Sequence, residues 1–306
     1  MARILFMGTP DYARRILEAI QSDRDEFLVV TKPDMPVGRH RRLTPSPVAE
    51  WSGSHGLPVL KPGRLKDARA DWESFQPDWI LTAAFGRILP RWALELPRYG
   101  AYNLHASLLP RWRGPNPIAW AIRCGDAVTG VTLMRMDEGV DTGPVVSQVE
   151  LALGPHETTG HMTTRLADAA ADLWLRAAAA AVGRLPEVPQ PSEGVTHAPK
   201  FDPAESRLDW NLPAERIDAW VRSMTPEPGA YTMLGSERIK ILQTSVSGVA
   251  VGDPPGTARL EGTEWRVASG GTKSVLVSAI QPAGRRPMAP ADFARGRRGE
   301  TAWRLT

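Results

Sequence analysis

Asn103 and His105 stand two residues apart at the end of a short apolar run, so in a strand their side chains leave the same face. An amide and an imidazole side by side can donate hydrogen bonds to an oxygen on which negative charge grows, or hold and pass a proton. Taken alone, an Asn-x-His pair is more often structural, its ring satisfied by a backbone group. Two other strand ends are polar: Gly8-Thr9-Pro10 after the first apolar run, and Asp137 to Asp141 after a later one. The first is not the G-x-G-x-x-G dinucleotide fingerprint, because Gly8 stands alone and Pro10 follows it. A phosphate or carboxylate at that helix start stays open. No ligand cluster has zinc-like spacing, so no metal is expected.

These groups need a frame, and the first half of the chain alternates strand-length apolar runs with helical patterns. Ile4–Met7, Phe27–Thr31, Trp79–Ala84, Ala101–His105 and Val131–Met136 are the predicted strands. Thr9-Pro10, Ser46-Pro47 and Asn116-Pro117 read as N-cap followed by first helical residue, and Gly125 reads as the stop of the last of these helices. A longer helix is predicted from about Thr159 to Val182, with Met162, Leu166, Ala170, Leu173 and Ala177 on one closely packed face. Such alternation predicts an α/β fold, a Rossmann-like, mostly parallel sheet flanked by helices, with functional groups beyond the carboxyl ends of its strands.

Composition changes at Leu185–Gly194, which holds three prolines and no apolar period and reads as a stiff linker. Beyond it, Ile217, Trp220 and Val221 mark a short helix. Arg238–Thr244, Thr257–Leu260, Trp265–Ala268 and Ser274–Ile280 then predict a small all-β barrel or sandwich. The expected domains are 1–184, a linker at 185–206, and 207–306.

With 306 residues, 42% hydrophobic and 23% charged, the chain is neither disordered nor fibrous in composition. A net charge of +3 excludes a globally basic nucleic-acid coat and leaves room for a local basic patch. The single cysteine, Cys124, precludes an intramolecular disulfide and suits a reducing cytosol; its helical surroundings predict a buried packing residue. The opening run is too short for a signal peptide, and no segment approaches a membrane span. A cytoplasmic monomer is expected.

The longer context changes the reading of Asn103 and His105. Asn103-Leu104-His105-Ala106-Ser107-Leu108-Leu109-Pro110-Arg111-Trp112-Arg113-Gly114 and Met136-Asp137-Glu138-Gly139-Val140-Asp141-Thr142-Gly143-Pro144 resemble two motifs of the folate-dependent formyltransferases. Phe6-Met7-Gly8-Thr9-Pro10, Leu43-Thr44-Pro45-Ser46-Pro47-Val48, Ala198-Pro199-Lys200, Arg207-Leu208-Asp209-Trp210 and Gln281-Pro282-Ala283-Gly284 resemble the methionyl-tRNA branch of that family. The likeness runs in order along nearly the whole chain. It departs at Pro115-Asn116, where two alanines are usual, and at Thr225-Pro226-Glu227-Pro228, where a tryptophan is missing.

The resemblance implies a formyltransferase fold with an OB-like C-terminal barrel that binds tRNA. It also implies transfer of a formyl group from 10-formyltetrahydrofolate to the α-amino group of initiator methionyl-tRNA. Asn103, His105 and Asp141 would be catalytic. Asn103 and a protonated His105 would donate to the developing oxyanion, while Asp141 orients His105 or helps remove the amine proton. Ser107, Leu108, Leu109 and Pro110 would line the folate pocket opposite Phe85, Gly86, Ile88 and Leu89. Lys32, Arg39, Arg41 and Arg42 would contact the tRNA, with Arg39 at the family's key arginine. Arg285, Arg286, Arg295, Arg297 and Arg298 form a second candidate surface. The rival readings are a formyltransferase acting on a small amine, a formyl-folate hydrolase, and a noncatalytic tRNA-binding protein. The basic loop and C-terminal motifs argue against the first two, and the intact catalytic positions against the last.

Overall fold

The computed structural model describes residues 1–306 apart from 38–40, 182, 250 and 298–301. Its strands and helices in chain order are β1 (Arg3–Gly8), α1 (Asp11–Ile20), β2 (Glu26–Val30), β3 (Met35–Val37), β4 (Arg42–Thr44), α2 (Pro47–Ser54), β5 (Val59–Leu60), α3 (Arg69–Phe75), β6 (Trp79–Ala83), α4 (Arg91–Glu95), β7 (Gly100–His105), α5 (Pro117–Cys124), β8 (Val128–Arg135), β9 (Val145–Ala152) and α6 (Thr159–Ala180). There follow α7 (Ala214–Met224), β10 (Tyr231–Leu234), β11 (Glu237–Ser247), β12 (Thr257–Glu261), β13 (Glu264–Ala268), β14 (Ser274–Pro282), α8 (Pro290–Arg295) and β15 (Ala302–Arg304). Two compact units interleave in sequence: 1–117, 128–152 and 163–199 form the first, and 118–127, 153–162 and 200–306 the second.

The first unit holds a seven-stranded sheet in the order β5-β2-β1-β6-β7-β8-β9. The pairs from β5 through β7 are parallel, and β8 and β9 run antiparallel at one edge. Continuous apolar runs fit strands covered on both faces. Leu5, Met7, Leu28, Val30 and Ile80 pack with Trp72 of α3 and Ala93 of α4. Trp79 meets Trp174 of α6 edge to face at 5.7 Å. The predicted strands therefore stand, while the two-residue β5 and the longer β9 are additions. The residues of β9 alternate between half-buried and exposed, which leaves no apolar run to detect.

Helix starts follow the sequence closely. The Ser46 hydroxyl accepts the Ala49 N–H at the head of α2. In α1, by contrast, Pro10 itself is the cap and the helix begins at Asp11, and the Thr9 hydroxyl is buried without a partner. Helix α6 buries Met162, Leu166, Ala170 and Leu173 as expected, although Ala177 is only half-buried and Ala179 and Ala180 are exposed. Cys124 is exposed, contrary to the expectation of a packing residue. The last turn of α5 instead directs Arg123 inward, with its guanidinium 4.0 Å from the centre of the Trp220 ring and 4.7 Å from Phe201. Burial lowers the pKa of that guanidinium, against the neighbouring Glu205 carboxylate.

The second unit contains a six-stranded antiparallel sheet in the order β10-β11-β14-β13-β12-β15. Its edges join where Met233 N–H donates to the Thr306 carbonyl (2.8 Å) and Thr306 N–H returns the bond (2.9 Å), so the sheet closes into a barrel. Trp265, Val267, Val275 and Val277 fill it, together with Ile217, Val221 and Met224 of α7. Buried Asp218 is satisfied by Arg222 (2.7 Å) and the Thr244 hydroxyl (2.8 Å). Strands β10 and β15 and helix α8 were not expected from the sequence.

The segment from Leu185 to Pro199, expected within the linker, lies with the first unit. Val188 exchanges backbone hydrogen bonds with Val145 (2.8 Å each way), and Thr196 and Ala198 bond to the backbone of residues 110–116. The basic segment after β2 is also more regular than its Pro and Gly content suggested. It is a two-stranded hairpin, with Pro36 opposite Leu43 and Val37 opposite Arg42.

Candidate active site

β6 and β7 run side by side with Thr82 opposite Asn103, so the carboxyl ends of two central strands present a hydroxyl and an amide together. The Thr82 hydroxyl donates to Asn103 Oδ1 (2.8 Å), which turns the amide nitrogen toward Asp141 Oδ1 at 3.4 Å. Two residues on, His105 is buried, 6% exposed, and its Nε2 lies 2.9 Å from the Trp112 carbonyl oxygen. A carbonyl only accepts, so Nε2 carries the hydrogen there. Nδ1 faces Asp141 Oδ1 at 3.6 Å. The other oxygen of Asp141 accepts the Gly114 N–H (2.8 Å). Asn103, His105 and Asp141 are thus brought together, as the motif reading required.

The frame around these groups is made of long-range bonds. Tyr12 of α1 donates its hydroxyl to the carbonyl of Leu104 (3.3 Å), the residue between Asn103 and His105. Burial pushes the Tyr12 phenol far above its ordinary pKa, so it stays a neutral donor. Trp112 (φ 64°) and Asp141 (φ 53°) both occupy the left-handed region, which costs a side-chain-bearing residue of order 1–3 kcal/mol unless the surroundings hold it. Gly114 has φ 119°, and a Cβ there would stand 2.9 Å from the Ala198 carbonyl oxygen, so the turn that feeds Asp141 its N–H accepts only glycine.

The turn after β7 is braced from the antiparallel edge. The Thr132 hydroxyl donates to the Ser107 carbonyl (2.6 Å) and accepts the Leu109 N–H (3.0 Å), while Gln148 Nε2 donates to the Leu109 carbonyl (2.9 Å). Ser107 is fully buried with its hydroxyl given to the Arg111 carbonyl (2.6 Å), and Leu109 is buried as well. Leu108 and Pro110 keep half-exposed side chains, with Leu108 lying over Gly130, where any Cβ would strike it. In the loop after β6, Phe85 and Leu89 belong to the apolar core, whereas Gly86 and Ile88 (65% exposed) face outward.

Lys32 is half-buried, with its ammonium against Gly86, 2.8 Å from where a Cβ would be. It therefore sits beside the loop after β6. Arg41 and Arg42 are exposed on the hairpin, and Arg39 lies outside the described residues. Among the C-terminal arginines, Arg295 pairs with Asp292 (3.0 Å) and Arg297 with Glu237 (2.6 Å); Arg285 and Arg286 are exposed, and Arg298 is outside the described residues. Among the described residues no group of His, Cys, Asp and Glu is placed to hold a metal ion, and no helix is long and apolar enough to cross a membrane.

Several supporting groups were not singled out from the sequence: Tyr12, Thr82, Thr132, Gln148 and Gln190. Thr82 had a signal, being the polar residue near the end of an otherwise apolar strand. The others act across 16 or more residues and leave no local pattern.

A mixed α/β sheet with an amide, an imidazole and a carboxylate gathered at the carboxyl ends of its central strands can stabilise charge on a reacting carbonyl, and comparison with known proteins specifies the class. Residues 2–178 match the formyl transferase family and residues 200–298 the formyl transferase C-terminal domain. Methionyl-tRNA formyltransferase of Roseobacter denitrificans is 42% identical over 96% of this chain and 95% of its own length, and that of Myxococcus xanthus is 41% identical over the same shares. Among solved structures, an N-formyltransferase of Helicobacter canadensis in complex with folinic acid and dTDP-3-aminofucose superposes with TM-score 0.69 at 17% identity, over 90% of this chain and 99% of that one. A methionyl-tRNA formyltransferase of Clostridium thermocellum gives TM-score 0.60 at 18% identity, over 80% and 93%. The chain belongs to the formyltransferase family, on its methionyl-tRNA branch.

Proposed function

We propose that the protein transfers the formyl group of 10-formyltetrahydrofolate to the α-amino group of initiator methionyl-tRNA. The observation that carries the reading is the convergence of Asn103, His105 and Asp141 beyond β7, in a chain more than 40% identical to methionyl-tRNA formyltransferases along nearly its whole length. The amine nitrogen attacks the formyl carbon, the bond from that carbon to the folate nitrogen breaks, and the amine's proton ends on that nitrogen. Negative charge gathers on the formyl oxygen during attack. Asn103 carries two amide hydrogens, one aimed at Asp141 and the second available to that oxygen. The Nδ1 of His105 is the nitrogen not held by Trp112, 3.6 Å from Asp141 Oδ1, and a hydrogen on it would be a second donor at the site.

The residues present suit a folate. Ile88 leaves a large apolar side chain exposed, Leu108 and Pro110 are half-exposed, and the buried Thr9 hydroxyl at the end of β1 lacks a partner in the protein. Phe85, Leu89, Ser107 and Leu109 would contribute by shaping the wall and through their backbone groups. Arg41 and Arg42, with Lys32 and Arg39, would meet tRNA phosphates, and Arg285 and Arg286 offer further positive charge on the second unit.

The test is transfer of labelled formyl from 10-formyltetrahydrofolate to methionyl initiator tRNA, set against transfer to amino sugar nucleotides. Wild type is expected to formylate the tRNA alone. The His105→Ala variant should lose on the order of 10³-fold in kcat while still binding folate. Transfer to the sugar amine with none to tRNA would contradict the reading.

A further inference from the structure

We propose that Gln190 is a positioning residue for the formyl-transfer centre, an amide that locks two separate turns into the register the reaction needs. The inference rests on the reading of Asn103, His105 and Asp141 as the reacting groups. Gln190 lies in the proline-rich segment after α6, half-buried against the first unit. Its Oε1 accepts from Nε (3.1 Å) and Nη2 (2.7 Å) of Arg113. Its Nε2 donates to the carbonyl oxygens of Asp141 (2.9 Å) and Gly143 (2.8 Å). A guanidinium only donates and a carbonyl only accepts, so a single amide orientation satisfies all four bonds, and they use its full capacity.

The two turns so joined are those that hold the reacting groups. Arg113 stands between Trp112, whose carbonyl takes the His105 Nε2 hydrogen, and Gly114, whose N–H binds Asp141. On the other side, Gln190 grips the backbone of Asp141 itself, a residue held at φ 53°. Glutamate at this position would keep the bonds to Arg113, but would set a carboxylate oxygen against two carbonyl oxygens. The same segment is fastened a second time by Glu187, which pairs with Arg135 (3.0 Å) and accepts from the Tyr102 hydroxyl (3.5 Å), touching neither turn. That second fastening supplies the control.

Steady-state formyl transfer and hydrogen exchange over peptides spanning 110–116 and 137–144 should be compared in wild type, Gln190→Glu, Gln190→Met and Glu187→Gln. For both Gln190 variants kcat is expected to fall about 10–100-fold, with KM for folate and tRNA within about twofold. Exchange should quicken in both peptides. Glu187→Gln should keep kcat within about twofold and leave both peptides protected, even if it melts earlier. The inference is overturned if the Gln190 variants that fold keep wild-type kcat, if their turns stay protected, or if Glu187→Gln loses as much activity as they do. Should wild type prove inactive on methionyl-tRNA, that reading fails by itself, and exchange in the two turns still decides whether Gln190 holds them.

Discussion

The turns around Asp141 and the strand pair of β3 and β4 both connect elements of the first unit, yet they are built in opposite ways. At the first, His105 and Asp141 are 6% and 15% exposed, and each polar atom is met by Thr82, Trp112, Gly114 or a neighbouring reacting group. At the second, Met35 is 61% and Leu43 67% exposed, and Arg41 and Arg42 point outward from a two-stranded sheet of their own. Chemistry requires donors fixed before the charge develops, because reorganising them during the reaction would consume the advantage. Recognition of a long polyanion needs positive charge within reach, and phosphate contacts tolerate imprecise placement. On the proposed function, kcat would depend on the first region and salt-sensitive affinity for tRNA on the second.

Among changes that leave every reacting side chain in place, the larger effect should come from disturbing the fixed region. Gly114→Ala would force a Cβ against the Ala198 carbonyl at φ 119° and withdraw the N–H from Asp141. It is expected to cost roughly 2 kcal/mol in a denaturant titration and on the order of 10²-fold in kcat. Unchanged kcat would mean that the rigidity of this turn is incidental. A smaller, different effect is expected from the hairpin. Arg41→Ala with Arg42→Ala should raise KM for tRNA about tenfold and flatten the dependence of log KM on log salt by about one to two units, with kcat within twofold. A fall in kcat at unchanged KM would erase the contrast.

Much of this was legible in the sequence, for reasons that also explain what was not. Strands such as Ile4–Met7 and Trp79–Ala83 are buried on both faces and so print as apolar runs, and the two-residue period placed Asn103 and His105 on one face without any structure. β9 is half-exposed and prints nothing. Cys124 was expected to be buried because its neighbours are apolar, yet the phase of the last turn gave the interior to Arg123. The proline-rich segment lacked periodicity, which describes its backbone but not its partners: Gln190 reaches residues 47 to 77 positions away. Local pattern reports local structure, and the frame of the site is almost wholly long-range. The approach of Asp141 to His105 came from the family resemblance, since no spacing argument joins positions in different loops.

The central claim is that the grouping of Asn103, His105 and Asp141 performs formyl transfer to methionyl-tRNA. Single-turnover transfer from 10-formyltetrahydrofolate, with enzyme in excess over methionyl initiator tRNA, tests it most directly when wild type is compared with Asp141→Asn. That variant keeps the size of the side chain and removes its charge from beside His105. The account expects rapid transfer by wild type and a rate lower by about 10²–10³-fold in the variant, with tRNA and folate affinity retained. A variant within about threefold of wild type, or a wild type that leaves the tRNA unformylated, would contradict it.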